Sequence, residues 1–369
     1  MQLGNLSRSL AARACALAAA SLLSAAAAAA HESGRGVLVL TSTNDAAHNE
    51  VLVYRLQTGA APALSPLQTL PTGGLGGAGG NAGILQMKDD LGAVANYGSN
   101  SVSELAREGD FIQVRGAIQL APGCVKPDSV ALSGHELFVA GASCLESHRW
   151  PSGILDGTVV HLSDASAAQV AIGETWGAVT FTSGSVEQVG LTPAGALSGS
   201  SAPVALPAAA DDTPLGAAFW GDILGFTPAH SPDSFAVVDA QRNVYPIAGP
   251  TPSFPANAPC WVAKGPGNVW YTGNSPGHAI SIFFTSGKGG VFYKSVRVPG
   301  VPTDLAVSKD GKWLAVIYSA NDNGYVAVFS IGKYGDLTPE ATSSPVGVPR
   351  FSGVAISEPA EARWSDGSR

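Results

Sequence analysis

Two aspartates, four histidines and three cysteines carry most of the chemistry this sequence can offer. Asp128 and Asp304 each stand just ahead of a short apolar run, Val130-Ala131-Leu132 and Leu305-Ala306-Val307. Paired carboxylates at such places can move protons or hold a cation. An Asp there can equally cap the amides of a strand start. His48, His148, His230 and His278 fall in polar stretches, and imidazole changes charge near neutral pH. Arg149-Trp150 could offer a cation and a flat ring to a sugar or an acid, or could simply pack as a loop. Asn100 and Gln169 add neutral hydrogen-bonding groups. Cys260 would need a neighbouring base or cation to be reactive. The sequence shows none beside it, which favours a buried structural thiol.

Metal and cofactor motifs are missing from the list. There is no Cys-x-x-Cys spacing, so no zinc site is expected. The glycine-rich stretch Gly73–Gly80 lacks the Lys and the strand-to-helix setting of a phosphate loop. It reads as a flexible connection over the mouth of the fold. No Gly-x-Ser-x-Gly or His-Glu-x-x-His motif occurs. No cofactor is expected.

The elements that must position these residues repeat. Short apolar runs begin at residues 84, 130, 170, 217, 261, 305 and 354, a period of about 45. In most units a tight turn such as Lys309-Asp310-Gly311-Lys312 leads from the run into a second one, a hairpin signal. A third run and a weaker outer one follow in most units. This pattern predicts an all-β, seven-bladed β-propeller with four-stranded antiparallel blades. Val37–Ser42 reads as a second strand with no inner strand before it, and Val354–Ser357 as an inner strand with no second strand after it. Joining the two closes the ring and removes a free sheet edge. In the blade around Val130, Thr158–Leu162 reads as a third strand with no outer strand following it. In that reading Cys144 ends the second strand and Arg149-Trp150 lies in a long loop at the mouth. Cys124 and Cys144 then share one face and are expected to form a disulfide. Inner-strand starts (Asn81, Asp128, Gln169, Cys260, Thr303, Asp304) and second-strand ends (Asn44, Asp45, His48, Asn100, His148, Arg149, Trp150, His230, Asn274, His278, Asp322) share one mouth of the channel.

Composition sets the class. The chain has 369 residues, 13% of them charged, with 45 Gly, 25 Pro and a net charge of −8. An acidic chain without a basic run is a poor match to nucleic-acid phosphates or to anionic lipid. Residues 1–30 carry Arg8 and Arg13, then an Ala/Leu-rich run to Ala28-Ala29-Ala30, the layout of a secretory signal peptide. Its removal leaves residues 31–369 as one propeller domain with a net charge of −10. A soluble monomer in an oxidising compartment, outside the cell or in a periplasm, is expected.

Pro302-Thr303-Asp304-Leu305-Ala306-Val307-Ser308-Lys309-Asp310-Gly311-Lys312-Trp313 resembles the blade signature of the lactonase-type seven-bladed propellers. That family includes 6-phosphogluconolactonases and 3-carboxymuconate lactonising enzymes (cyclases). Ala258-Pro259-Cys260-Trp261 and Gly98-Ser99-Asn100-Ser101-Val102 are similar to its secreted branch, and the likeness spans about 36–357. The resemblance implies a polar pocket at one mouth, with His in a Pro-His-Ser start, Arg-His at the next inner strand and Glu at the following strand end. This chain has Pro127-Asp128-Ser129, Ala168-Gln169 and Val179–Ser183 there, so none of the three is carried over. Two readings stand. One is an exported lactonase- or cycloisomerase-like enzyme acting on a lactone or cyclic carboxylic acid, with Asp304, Asp128 and His278 as candidate catalytic groups. In it His48, Asn100, His148, Arg149, Trp150, Gln169, His230 and Cys260 are candidate binding residues. The other is a non-catalytic secreted propeller that binds a glycan, small ligand or protein partner at the mouth.

Overall fold

The computed structural model describes residues 36–79, 82–230, 235–249, 258–286, 289–348 and 351–359. The expected signal segment and Asn81 lie outside them. Seven four-stranded antiparallel sheets follow one another along the chain. Blade 1 contains β1 (Val37–Ser42), β2 (Glu50–Gln57) and β3 (Ala63–Pro71); blade 2 contains β4 (Leu85–Lys88), β5 (Leu91–Asn96), β6 (Ser101–Glu108) and β7 (Phe111–Gln119). Blade 3 is β8 (Ser129–Ser133), β9 (Glu136–Gly141), β10 (Cys144–Arg149) and β11 (Ile154–His161). Blade 4 is β12 (Ala167–Ile172), β13 (Trp176–Phe181), β14 (Ser185–Leu191) and β15 (Leu197–Val204). Blade 5 is β16 (Pro214–Trp220), β17 (Ile223–Pro228), β18 (Phe235–Val238) and β19 (Val244–Ile247). Blade 6 is β20 (Pro259–Lys264), β21 (Val269–Asn274), β22 (Ala279–Ser286) and β23 (Gly289–Arg297). Blade 7 is β24 (Val301–Val307), β25 (Trp313–Ala320), β26 (Asn323–Ile331) and β27 (Leu337–Thr342). The last strand, β28 (Ser352–Ser357), supplies the inner strand of blade 1.

The closure takes the predicted form. β28 pairs antiparallel with β1, placing Ile356 opposite Val39 and Val354 opposite Thr41. The inner strands β28, β4, β8, β12, β16, β20 and β24 touch in sequence and ring the channel. Apolar clusters glue neighbouring blades: Val39, Tyr54, Ile317 and Val326 between blades 1 and 7, and Phe235, Trp270 and Phe283 between blades 5 and 6. Such faces must be apolar because each blade buries both of its sides. The motif residue Trp261 adds a polar stitch, donating its Nε1–H to Pro302 O of the next inner strand at 2.9 Å. The Ser308–Trp313 turn is also locally fixed. Asp310 Oδ1 accepts from Ser308 Oγ and Lys312 N, and Gly311 takes a φ of +71°.

Blade 3 departs from expectation. It has a full outer strand, β11, and residues 158–161 belong to it rather than to a third strand. The third strand is β10, entered from β9 by the two-residue turn Ala142-Ser143, so Cys144 begins a strand instead of ending one. Alternation was hard to read here because Glu146 and His148 occupy buried positions in β10. Arg149-Trp150 therefore lies at the turn into β11, on the face opposite the mouth, not in a mouth loop.

As far as Gly77, the glycine-rich connection that leaves β3 is clamped rather than loose. Gly76 and Gly77 donate to Asp45 O and Asn44 O, Gly74 O accepts from Asn49, and Gly98 donates to Leu75 O. A Cβ on Gly76 would stand 2.4 Å from the Asn44 carbonyl carbon, which is why the segment needs glycine there.

Candidate functional site

The channel contains a cavity of about 190 Å³ lined by Gly83, Gln169, Ala217, Val262, Asp304 and Val354, among others. Asp304 is 6% exposed. Its Oδ1 accepts from its own strand at Leu305 N (2.8 Å), and Oδ2 lies 3.4 Å from Gly83 N in blade 2. It thus caps strand amides and faces the cavity at once. Burial pushes its carboxyl up to about 7, against the lowering effect of these amides. Gln169 accepts from Ala217 N through Oε1 at 2.6 Å. Its Nε2 hydrogen-bonds to none of the described residues, although the residue is only 6% exposed. Gly83 makes room for this amide: at φ +69° a Cβ would lie 3.0 Å from both Gln169 Nε2 and Ser129 Oγ.

A second cavity of about 160 Å³ at the mouth is lined by Gly79, Tyr97, Asp128, Ser166, Ala167, Ala168 and Thr182. The start of β12 serves both cavities, with Ala168 at the mouth and Gln169 in the channel. Asp128 lines the mouth while Asp304 lines the channel, and the two are not members of one cavity. The segment that carries Asp128 is anchored. The Cys124–Cys144 disulfide forms as expected. Asn100 Oδ1 accepts from Lys126 N at 2.7 Å, and Val125 O accepts from Ala142 N at 2.9 Å. Closing a loop of this size stabilises by about 3 kcal/mol. Replacing both cysteines by Ala should lower stability by about that amount, read from urea unfolding midpoints.

The remaining candidates disperse. His48, His230 and His278 are exposed in the loops of blades 1, 5 and 6. His48 sits beside Asp45 (3.3 Å), and His230 hydrogen-bonds Thr213 Oγ1 (2.7 Å). None of them lines the channel cavity. Arg149 pairs with Asp156 at 2.7 Å, and Trp150 is buried against blade 2. His148 is buried with Glu146, at 2.9 Å. Cys260 donates its S–H to Ala258 O and packs with Ala168, Leu215 and Ala229; burial raises its thiol, which makes it a poor nucleophile. Among potential metal ligands the described residues group only Cys124, Cys144 and Glu146, and the two sulfurs are bonded to each other.

Sequence reasoning missed Gly83, Tyr97, Lys126, Ser166 and Thr182. Tyr97 precedes a quoted motif, Gly98–Val102, and that adjacency was the available signal. Thr182 lies within Val179–Ser183, a strand end the resemblance already points to; Gly83, Lys126 and Ser166 carry no signal, because their role comes from neighbours in other blades.

The fold has many relatives among solved structures. A Lactobacillus plantarum protein superposes with a TM-score of 0.67 at 15% identity, over 88% of this chain and all of that one. The periplasmic gluconolactonase of Pseudomonas aeruginosa gives 0.63 at 16%, over 88% and 99%. A candidate 6-phosphogluconolactonase of Bacteroides fragilis gives 0.62 at 13%, over 88% and 98%. The resemblance to lactonase-type propellers is one of fold. No family model matches the sequence, and no curated protein does. Among the described residues no helix is long and apolar enough to cross a membrane.

Proposed function

We propose that this chain is an exported lactonase-type hydrolase that opens a small ring lactone at the channel. One observation carries the reading: the buried Asp304 carboxyl and Gln169, whose Nε2 hydrogen-bonds to none of the described residues, line the same cavity. Lactone opening needs a group to take a proton from water and a donor for the oxygen where negative charge develops. Asp304, once ionised, takes a proton from the water whose oxygen bonds the carbonyl carbon; Gln169 Nε2 donates to the carbonyl oxygen, and as the ring C–O bond breaks Asp304 returns the proton to the leaving ring oxygen. Hydrolysis is favoured over cycloisomerisation because, among the described residues, no Lys, Arg or His lines either cavity to hold a substrate carboxylate. The likeness to a protein described as a periplasmic gluconolactonase supports both the chemistry and the export.

The test is acid release from a panel of aldonolactones, corrected for spontaneous opening, with wild type and Gln169→Ala. Loss of one oxyanion donor is worth about 10²-fold or more in kcat. Turnover that survives Gln169→Ala unchanged would sink the assignment. The second reading, a propeller that binds without turnover, is favoured by Asp128, Ala168 and Gln169 standing where the resemblance implies His and Arg-His. Wild type inert on every lactone, yet binding a sugar at the mouth, would establish it.

A further inference from the structure

Charge is divided unevenly between the two faces of the propeller. The connections that form the mouth face carry Asp45, Asp164, Asp211, Asp212 and Asp322, with Asp128 at the start of β8. Among the described residues the only lysine or arginine side chains placed on this face are Lys126, whose Nζ lies 5.9 Å from the centre of the Tyr97 ring, and Arg297 at the peripheral end of β23. The opposite face sets cations among its carboxylates. There Lys309 pairs with Asp89, Lys312 with Asp310, Arg55 with Asp110 and Arg149 with Asp156.

A cleft lined by one sign of charge with low-dielectric walls focuses its field and changes encounter rates by about 10–10³-fold. Asp45 and Asp164 are held below the usual carboxylate range by hydrogen bonds, from backbone amides at Asp45 and chiefly from serine side chains at Asp164; both stay ionised. Beneath this rim the channel presents the Asp304 carboxyl and the neutral amide of Gln169, both residues more than nine-tenths buried. A carboxylate or phosphate on an incoming ring meets repulsion at the rim and, among the described residues, no cation lining the channel beneath it. A neutral polyhydroxy ring meets Ser166, Thr182, the Tyr97 ring and the Gln169 amide.

We infer that the mouth is a charge filter, admitting neutral ring lactones and turning away their phosphorylated and carboxylated counterparts. This rests on the channel being the lactone site. The experiment compares kcat/KM for a neutral aldonolactone and its 6-phosphate on the full chain, at low and high ionic strength. The expected preference for the neutral ring is at least about tenfold at low salt, where the Debye length is about 30 Å. It should shrink at high salt, and also in the Asp45→Asn/Asp212→Asn/Asp322→Asn variant. Equal efficiency, or a preference unmoved by both salt and the variant, overturns the filter. If neither lactone is turned over, the catalytic reading fails, and calorimetry with a neutral aldonolactam and its 6-phosphate still decides the filter. Tighter binding of the neutral lactam supports it; equal or tighter binding of the phosphate, or binding of neither, overturns it.

Discussion

Asp304→Asn should abolish most turnover and yet make the protein more stable at alkaline pH. A lost general base costs about 10²–10⁴-fold in rate. In the wild type the rate should climb as pH rises through about 7, where the carboxyl ionises, and the variant should lack that limb. Stability runs the other way. The unfolded carboxyl titrates near ~3.9, the folded one at about 7. Between those values the folded state holds a proton that the unfolded state has lost. Its stability is therefore greatest below ~4 and falls as pH rises to about 7, by roughly 4 kcal/mol at most. The amide carries no such penalty. Urea unfolding should show Asp304→Asn gaining over wild type at pH 8 and gaining nothing at pH 4. Parallel stability profiles would mean that the carboxyl is not buried and neutral near pH 7.

Glu146→Ala should be among the most destabilising single changes in the molecule, at about 3–5 kcal/mol. Glu146 and His148 alternate on β10, and their side chains are 0% and 3% exposed. Glu146 Oε2 meets His148 Nε2 at 2.9 Å while Oε1 accepts from Ala121 N at 2.9 Å. His148 Nδ1 lies 3.1 Å from Gly153 O in the turn into β11. Removing the carboxylate strands a buried imidazole and a backbone amide together. Glu146→Gln should cost less, since it keeps an acceptor for Ala121. The double change Glu146→Ala/His148→Leu should recover part of the loss, because no unpaired polar ring remains. Denaturant midpoints check all three, and a single-variant loss below about 1 kcal/mol would contradict the buried pair. The effect reaches the mouth, since Ala121 lies just before the disulfide-anchored segment that carries Lys126 and Asp128.

These cases show where the sequence was legible. Alternation between two-faced strands is a local property, so seven apolar periods and the complementary ends at Val37 and Val354 revealed the ring and its closure. The Cys124–Cys144 pair followed from placing both residues on one face. β10 departs from the expected pattern because the buried, hydrogen-bonded Glu146 and His148 put polar residues where a strand normally shows apolar ones, which shifts His148, Arg149 and Trp150 to the other end of the blade.

The site was only partly legible. Asp304 and Gln169 were picked as inner-strand starts, and both line the channel. Nothing along the chain could reveal that Gly83, two blades from Asp304, lets the carboxyl and the Gln169 amide approach one cavity. Ring closure makes residues distant in sequence neighbours at the axis. The sequence by itself determined the blades, their number and their closure, because those depend on periodic burial. Only the tertiary structure decided which strand starts face the same space, which histidines remain in solvent, and that the described lysines and arginines fall mostly on the face opposite the mouth.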